Sequence, residues 1–195
     1  MTDKTTNILI AGVGGQGVIL ASEIIAGAAM TAGYDVKQSE VHGMAQRGGS
    51  VVSHVRFGPA VFSPLVEPGT GDLLLSFEKS EALRWTELLD PEKGVIVLNT
   101  QEIIPPAVTQ GLSEYPFDAP DRLRAAGFRV VELDALGLAR EAGTDRAVNI
   151  VLLGAGARFL PLDHALFRKV IETSVPPRFL EANLRAFDLG LAASE

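Results

Sequence analysis

The chain has 195 residues, a net charge of -7 from 24 acidic and 17 basic residues, and no cysteine. This length predicts a single domain over residues 1–195 with a substantial hydrophobic core. The acidic balance argues against nucleic-acid binding, and the absence of thiols excludes disulfides, cysteine-ligated zinc and any iron–sulfur cluster held by this chain itself.

Metal binding and membrane insertion are also not expected. The three histidines, His42, His54 and His164, lack the spacing of metal ligands, so we predict no metal site. The first residues lack the features of a signal peptide, and the longest weakly polar stretches, residues 18–30 and 147–157, are shorter than the about 20 apolar residues that span a bilayer. We therefore expect a cytoplasmic protein that does not enter a membrane.

The first half of the chain alternates apolar runs with helical patterns. The run over residues 7–11 predicts a strand buried on both faces, as in a parallel sheet covered by helices. A glycine loop follows, and apolar residues at helical spacing from Val18 predict a helix with Gly33 as its C-terminal cap. Residues 79–89 predict another helix. Further strands are predicted over residues 34–40, 50–57, 72–77 and 94–99.

The second half is richer in helical patterns. Pro105 and Pro106 interrupt the chain and predict a long loop or hairpin that extends to Pro120. Residues 129–134 predict one more strand, and Asp163 is a candidate helix N-cap. Helices are predicted over residues 135–141, 147–160, 163–174 and 177–191, the last with Pro177 in its first turn. The whole pattern predicts a three-layer, open-sheet, Rossmann-like α/β fold with C-terminal helices.

The first candidate site is the glycine loop between the first strand and the first helix. Its residues Gly12, Gly14 and Gly17 satisfy the pattern G-x-G-x-x-G. Glycines let a backbone approach a ligand closely, and the N–H groups at the following helix N-terminus attract anions. Ligands of open α/β sheets bind at the carboxyl ends of strands, where this loop must lie. We predict that Gly12, Gly14, Gly15, Gln16 and Gly17 contact a phosphate or carboxylate.

Two other interpretations of this loop stay open. A nicotinamide dinucleotide site needs an acidic residue about 20 residues further on, and Asp35 and Glu40 stand 18 and 23 positions after Gly17. Gln16 also places an amide where the pyrophosphate turn normally has backbone and small groups. The second alternative is a tight strand-to-helix turn that needs glycine for packing alone.

The second candidate site is the segment SEVHGMAQRGGS, residues 39–50. Arg47 can hold a carboxylate or phosphate in a bidentate fork, and His42 can donate or relay a proton, so both are candidate catalytic residues. The alternative is a solvated loop with a salt bridge between Arg47 and Glu40. Because functional groups concentrate on loops held by rigid sheets, we favour a binding segment. The binding residues predicted here are Met44, Gln46, Gly48, Gly49 and Ser50.

Two isolated polar residues have simpler interpretations. His54 alternates with Val52 and Arg56 along a predicted strand, which favours a structural or interface role. Glu78 directly follows a predicted strand, so it either orients a ligand or serves as the carboxylate at a helix N-terminus. The chain has no G-x-S-x-G motif, and it lacks a self-sufficient catalytic set.

Four segments are recognisable together: GVGGQG at 12–17, EVHGMAQRGGS at 40–50, DLLLSFE at 72–78 and VPPRFLEANLRAF at 175–187. In combination they resemble the gamma subunit or gamma domain of the 2-oxoacid:ferredoxin oxidoreductases. The resemblance is strongest to the small (beta) subunit of indolepyruvate ferredoxin oxidoreductase, and HGMAQRGGSV is its most characteristic run. It covers nearly the whole chain.

The resemblance implies a heteromeric complex in which a large partner subunit carries thiamine diphosphate and [4Fe-4S] clusters. Such a complex decarboxylates an aryl-2-oxoacid such as indolepyruvate, reduces ferredoxin and releases an acyl-CoA. The present chain would bind no cofactor alone, and would cover the active site and help to position the 2-oxoacid or coenzyme A. An independent NAD(P)-dependent oxidoreductase and a noncatalytic structural subunit are the alternatives.

Overall fold

One sheet organises the molecule. The computed structural model describes residues 4–42 and 49–194, apart from the side chain of His42. In these residues six strands form a sheet in the order β2-β3-β1-β4-β5-β6. The strands are β1 (Thr6–Val13), β2 (Asp35–His42), β3 (Ser50–Gly58), β4 (Leu73–Ser76), β5 (Val95–Asn99) and β6 (Arg129–Leu133).

The sheet is mixed, so the expectation of a parallel sheet is correct for four of its six strands. Strands β1, β4, β5 and β6 are parallel to one another. Strand β3 runs antiparallel to both β1 and β2. The physical reason is the short connection between β2 and β3, since residues 43–49 cannot cross a sheet face as a parallel connection must.

Helices follow most of the predicted positions, with different ends. They are α1 (Val18–Thr31), α2 (Lys79–Arg84), α3 (Pro106–Thr109), α4 (Ala119–Ala125), α5 (Ala135–Glu141), α6 (Val148–Ala157), α7 (His164–Ser174) and α8 (Leu180–Ala193). The helix predicted over residues 79–89 ends early and continues as a 3₁₀ turn at Thr86–Leu88, and α8 is likewise preceded by a 3₁₀ turn at Pro177–Phe179. The proline-rich segment contains α3 and the start of α4.

Two predicted helix ends are confirmed. Asp163 caps α7, because its side chain accepts a hydrogen bond from the backbone N–H of Ala165 at 2.9 Å. Gly33 follows α1 with a φ of +88°, and its N–H donates to the carbonyl of Met30. This left-handed residue is the usual way in which a glycine stops a helix.

Helices cover both faces of the sheet, which confirms the three-layer α/β prediction. Along β1, Ile8 and Ile10 pack into one cluster with residues of α1, α5, α6, α7 and α8. Leu9 and Ala11 point to the other face and pack with residues of α2 and α4. This alternation buries β1 on both sides, as its unbroken apolar sequence predicts. Within the described residues no helix has the length and apolar character needed to cross a bilayer.

Candidate functional site

The glycine loop lies beside Gly49 and Ser50, the last residues of the second motif, at one edge of the sheet. Because β3 runs antiparallel to β1, its first residue, Ser50, pairs with Val13 at the end of β1. The N–H of Gly14 donates to the carbonyl of Gly49 at 3.0 Å. We call this region, residues 12–17, 49–50, 76–78 and 99–101, the carboxyl edge. The structure therefore brings together two segments that stand far apart in the sequence.

The glycine loop delivers an uncapped helix N-terminus to the carboxyl edge. Gly17 has a φ of +86° and directly precedes α1, whose first turn has no acidic residue and, within residues 4–42 and 49–194, no side-chain cap. A Cβ at Gly17 would lie 2.7 Å from Nδ2 of Asn149, and one at Gly12 would lie 2.9 Å from Cβ of Phe77. Packing thus explains Gly12, whereas the free N–H groups after Gly17 form an anion-attracting end.

Gln16 ties this loop to its neighbours. Its Oε1 accepts a hydrogen bond from the N–H of Val13 at 2.7 Å. Its Nε2 donates to the carbonyl of Phe77 at 3.0 Å and to Oε1 of Gln101 at 3.2 Å. The side-chain amide of Gln16 therefore joins the ends of β1 and β4 to Gln101, two residues beyond β5. That Gln16 also contacts a ligand stays a prediction.

Ser50 anchors the second motif from the other side. Its hydroxyl donates to a buried carboxylate oxygen of Glu81 on α2, which also accepts from Nε1 of Trp85 at 3.3 Å. The other oxygen of Glu81 accepts from Nε of Arg84 at 3.2 Å. The position of Ser50 is thus set by α2 as well as by β1.

The central part of this motif lies outside the described residues. That applies to the predicted binding residues Met44, Gln46 and Gly48, to the candidate Arg47 and therefore to its predicted ion pair with Glu40. The backbone of His42 ends β2 at the carboxyl edge, while its side chain is outside the description. The roles given to these residues stay predictions.

Glu78 is a helix cap, as one of its two interpretations predicts. One carboxylate oxygen accepts hydrogen bonds from the N–H of Ser80 at 2.7 Å and of Glu81 at 3.2 Å. The other accepts from the N–H of Ile103 at 3.2 Å and from the hydroxyl of Tyr115. Burial and this carboxylate raise the pKa of Tyr115 above its ordinary value, which keeps the phenol protonated. Glu78 therefore holds the segment after β5 against α2.

His54 has a structural role, as predicted. Its ring is buried on β3, and its Nδ1 accepts a hydrogen bond from the N–H of Val66 at 3.1 Å. Burial, and then the nearby charge of Arg56, hold the pKa of His54 below its ordinary value. The neutral ring matches its role as a hydrogen-bond acceptor.

Sequence reasoning missed three polar residues at or beside the carboxyl edge. Gln101, Asp145 and Arg146 line a cleft of ≈ 310 Å³ together with Gly15 and Gln16. Gln101 follows a predicted strand closely, so the rule that ligands bind at the carboxyl ends of strands could have found it. Asp145 and Arg146 belong to a 3₁₀ turn before α6, and nothing in the sequence placed that turn beside the glycine loop.

The geometry does not support a nicotinamide site. Asp35 begins β2 at the opposite edge of the sheet, where it accepts from Lys37 and from the N–H of Val61 at 2.8 Å. Glu40 lies on the outermost strand, which β3 separates from β1. A dinucleotide fold instead has its acidic residue on a strand that neighbours the first one. In the described residues no three His, Cys, Asp or Glu side chains gather as a metal site.

Two proteins that are similar in sequence to this chain are subunits of oxidoreductases. Indolepyruvate oxidoreductase subunit IorB of Thermococcus kodakarensis is 42% identical over 197 residues, which cover 98% of this chain and 97% of that protein. The subunit of the same name from Archaeoglobus fulgidus is 40% identical, with 94% and 92% covered.

Solved structures share the fold. The gamma subunit of a keto/oxoacid ferredoxin oxidoreductase from Geobacter sulfurreducens superposes with a TM-score of 0.74 at 25% identity, over 97% of this chain and 98% of that one. A 2-oxoglutarate:ferredoxin oxidoreductase from Magnetococcus marinus gives a TM-score of 0.76 at 23% identity, over 99% of this chain and 31% of that longer one.

The family model described as pyruvate ferredoxin/flavodoxin oxidoreductase matches residues 7–193. This range contains both glycine motifs and every strand except the first residue of β1. The chain therefore belongs to the pyruvate ferredoxin/flavodoxin oxidoreductase family.

Proposed function

We propose that this chain is the small subunit of a heteromeric 2-oxoacid:ferredoxin oxidoreductase of the indolepyruvate type. The observation that carries the proposal is the match to IorB subunits over nearly the full length of both proteins. The reaction is oxidative decarboxylation of an aryl-2-oxoacid to its acyl-CoA, with two electrons passed to ferredoxin.

A large partner subunit completes the enzyme in this proposal. This chain has no cysteine, so it has no thiolate with which to hold an iron–sulfur cluster. Thiamine diphosphate and the [4Fe-4S] clusters of the partner would supply the carbon–carbon bond cleavage and the electron transfer. The present chain would contribute one wall of the shared site.

The carboxyl edge is the part of this chain that suits such a wall. The first N–H groups of α1 point out of the glycine loop without a side-chain cap, and Arg146 lines the adjacent cleft. A helix N-terminus and a guanidinium both favour the carboxylate of a 2-oxoacid or a phosphate of coenzyme A. In the proposal, His42 and Arg47 reach the same ligand from the neighbouring hairpin connection.

Reconstitution tests the proposal. The full chain is purified alone and with a large subunit that carries thiamine-diphosphate and cluster-binding motifs, and ferredoxin reduction is measured with coenzyme A and indolepyruvate, 2-oxoglutarate or pyruvate. We expect activity with the pair only, and the highest kcat/KM with indolepyruvate. An active pair that prefers another 2-oxoacid contradicts the indolepyruvate assignment, and tight NAD(H) or NADP(H) binding by the chain alone contradicts the whole proposal.

An Arg47→Ala variant distinguishes a site-forming subunit from a purely structural one. We expect the variant complex to assemble normally and to lose roughly tenfold or more in kcat/KM, since a lost charge-assisted contact is worth ~1.4 kcal/mol or more. Lys93→Ala, on an exposed loop between α2 and β5, is the matched control. Unchanged turnover in Arg47→Ala would favour the structural role.

A further inference from the structure

A second, smaller cleft adjoins the one at the carboxyl edge. It has a volume of ≈ 150 Å³ and lies between α1, the start of α6 and the connection from α7 to α8. Its apolar wall includes Leu20, Val175, Pro176 and Phe179, and its polar wall includes Arg146 and Asn149. Arg146 lines both clefts, so they meet at this residue.

Asn149 is the residue in this cleft that points to a ligand. It is only 6% exposed, and in the described residues no hydrogen bond involves its side-chain amide. Asn183, which lines the same cleft, instead donates from Nδ2 to the carbonyl of Phe179 at 2.8 Å. Because buried polar groups are normally paired, the amide of Asn149 is free for a partner that enters the cleft.

The charges around Asn149 select an anion. Its Nδ2 lies against Gly17, the residue from which α1 starts with its uncapped N–H groups and no acidic residue in the first turn. Arg146 makes no ion pair within the described part of the chain. The acidic neighbour of Arg146, Asp145, lines the larger cleft but not this one. Arg146, Asn149 and Leu20 of the first turn of α1 all line this cleft, so a guanidinium, an amide donor and the first turn of a helix border one small volume.

We propose that this cleft binds a small organic monocarboxylate with an apolar body. The carboxylate accepts hydrogen bonds from the first turn of α1, Arg146 and Asn149. The apolar body packs against Leu20 and Phe179, because these side chains form the wall beyond the polar end. This site shares Arg146 and the N-terminus of α1 with the wall described under the proposed function, so the proposal rests on that function and names a ligand class for one part of the wall. The binding itself needs neither the partner subunit nor its cofactors.

Titration of the isotope-labelled full chain with phenylacetate tests the site by NMR. We expect saturable shifts of the Asn149 side-chain amide and of the Val18 backbone N–H. Benzyl alcohol, which lacks the charge, and inorganic phosphate, which lacks the apolar body, should each bind at least tenfold more weakly. Absence of saturable shifts at these groups, or equal affinity for phosphate and phenylacetate, would overturn the proposal.

Two variants and a control assign the contacts. Arg146→Gln and Asn149→Asp should each raise the Kd for phenylacetate at least tenfold, the first by removing a cation and the second by adding a like charge. Arg140→Gln on α5, outside the residues that line the cleft, should leave the Kd unchanged. Arg146 is exposed, so Arg146→Gln should fold even if Asn149→Asp does not. Wild-type affinity for phenylacetate in Arg146→Gln would refute the assignment. Because binding is measured without turnover, the result is separate from that of reconstitution.

Discussion

The two edges of the sheet both carry polar side chains, but these side chains are used differently. At the amino edge, residues 4–7, 56 and 63–72, Nε of Arg56 donates to Oδ1 of Asn7 and Nδ2 of Asn7 donates to the carbonyl of Thr70. The same arginine donates to the carbonyls of Ser63 and Leu65. The bond between Arg56 and Asn7 joins two strands, and the other three bonds fasten a loop to a strand.

The carboxyl edge and its surroundings combine polar groups that are hydrogen-bonded within the protein with polar groups that are not. Gln16, Ser50 and Glu78 are bonded within the protein, as the amino-edge residues are. The N-terminus of α1 and the amide of Asn149 keep unused capacity within the described residues. Among the clefts lined by described residues, the one at the amino edge, ≈ 440 Å³, is larger than the one beside Gln16, yet Asn7 and Arg56 in its wall are already paired. Free hydrogen-bonding capacity therefore distinguishes the two edges better than cleft size does.

The largest expected loss of stability comes from a substitution at the amino edge. Asn7 is only 5% exposed, and Asn7→Leu removes the hydrogen-bond partner of both Nε of Arg56 and the carbonyl of Thr70. We expect a loss of about 2–3 kcal/mol in the free energy of unfolding, because an orphaned charged donor costs more than a neutral one. Urea unfolding measures this loss. Lys93→Ala, an exposed change at the same end of the sheet, should stay near the wild type, and an equal loss there would contradict the prediction.

A smaller loss in the free energy of unfolding is expected from a substitution of Gln16 at the carboxyl edge. Gln16→Ala removes the bonds to Val13, Phe77 and Gln101, and we expect about 1–2 kcal/mol of destabilisation because the site is partly exposed. Urea unfolding of the Gln101→Ala variant is the comparison, since Gln101 is exposed and its loss leaves the two backbone bonds of Gln16 intact. A larger effect from Gln101→Ala would show that Gln16 is not the fastening residue.

A pH dependence sharpens the structural interpretation of His54. Its pKa in the folded chain is lowered by burial, so the unfolded chain takes up a proton first as the pH falls below 6.5. The stability contributed by neutral His54 is complete above that pH and is lost as the pH falls toward the folded-state pKa. We expect His54→Gln to lose less stability than the wild type between pH 7.5 and pH 5.5 in urea unfolding. Parallel losses in both proteins would contradict this.

The smallest effect concerns a polar group that is buried away from both edges. The hydroxyl of Ser53 on β3 is buried and has no hydrogen-bond partner among the described residues, so Ser53→Ala removes an unpaired group at little cost in packing. We expect the free energy of unfolding to stay within about 0.5 kcal/mol of the wild type or to rise. Thermal and urea unfolding measure this change, and a loss above about 1 kcal/mol would indicate an unseen partner such as a buried water.

Local patterns in the sequence determined a large part of this architecture. The apolar run of β1, the glycine-to-helix transition at α1 and the caps at Gly33 and Asp163 were predictable, because each depends on a few adjacent residues. The four family motifs also identified the class of protein, which the family match confirms. The helix predicted over residues 79–89 was too long, since apolar spacing does not show where an α-helix tightens into a 3₁₀ turn.

Tertiary structure alone decided which polar groups are occupied. The sequence showed Gln16 and Ser50 as free polar residues in glycine-rich loops, but their partners, Phe77 and Glu81, arrive from other elements. It also could not place Asn149 beside Gly17, or Arg146 in one cleft with Gln16, because each pair is more than a hundred positions apart in the sequence. Local preferences act over a few residues, whereas pairing and burial depend on how distant elements pack. The sequence therefore located the candidate motifs, and the fold decided which of their polar groups are paired.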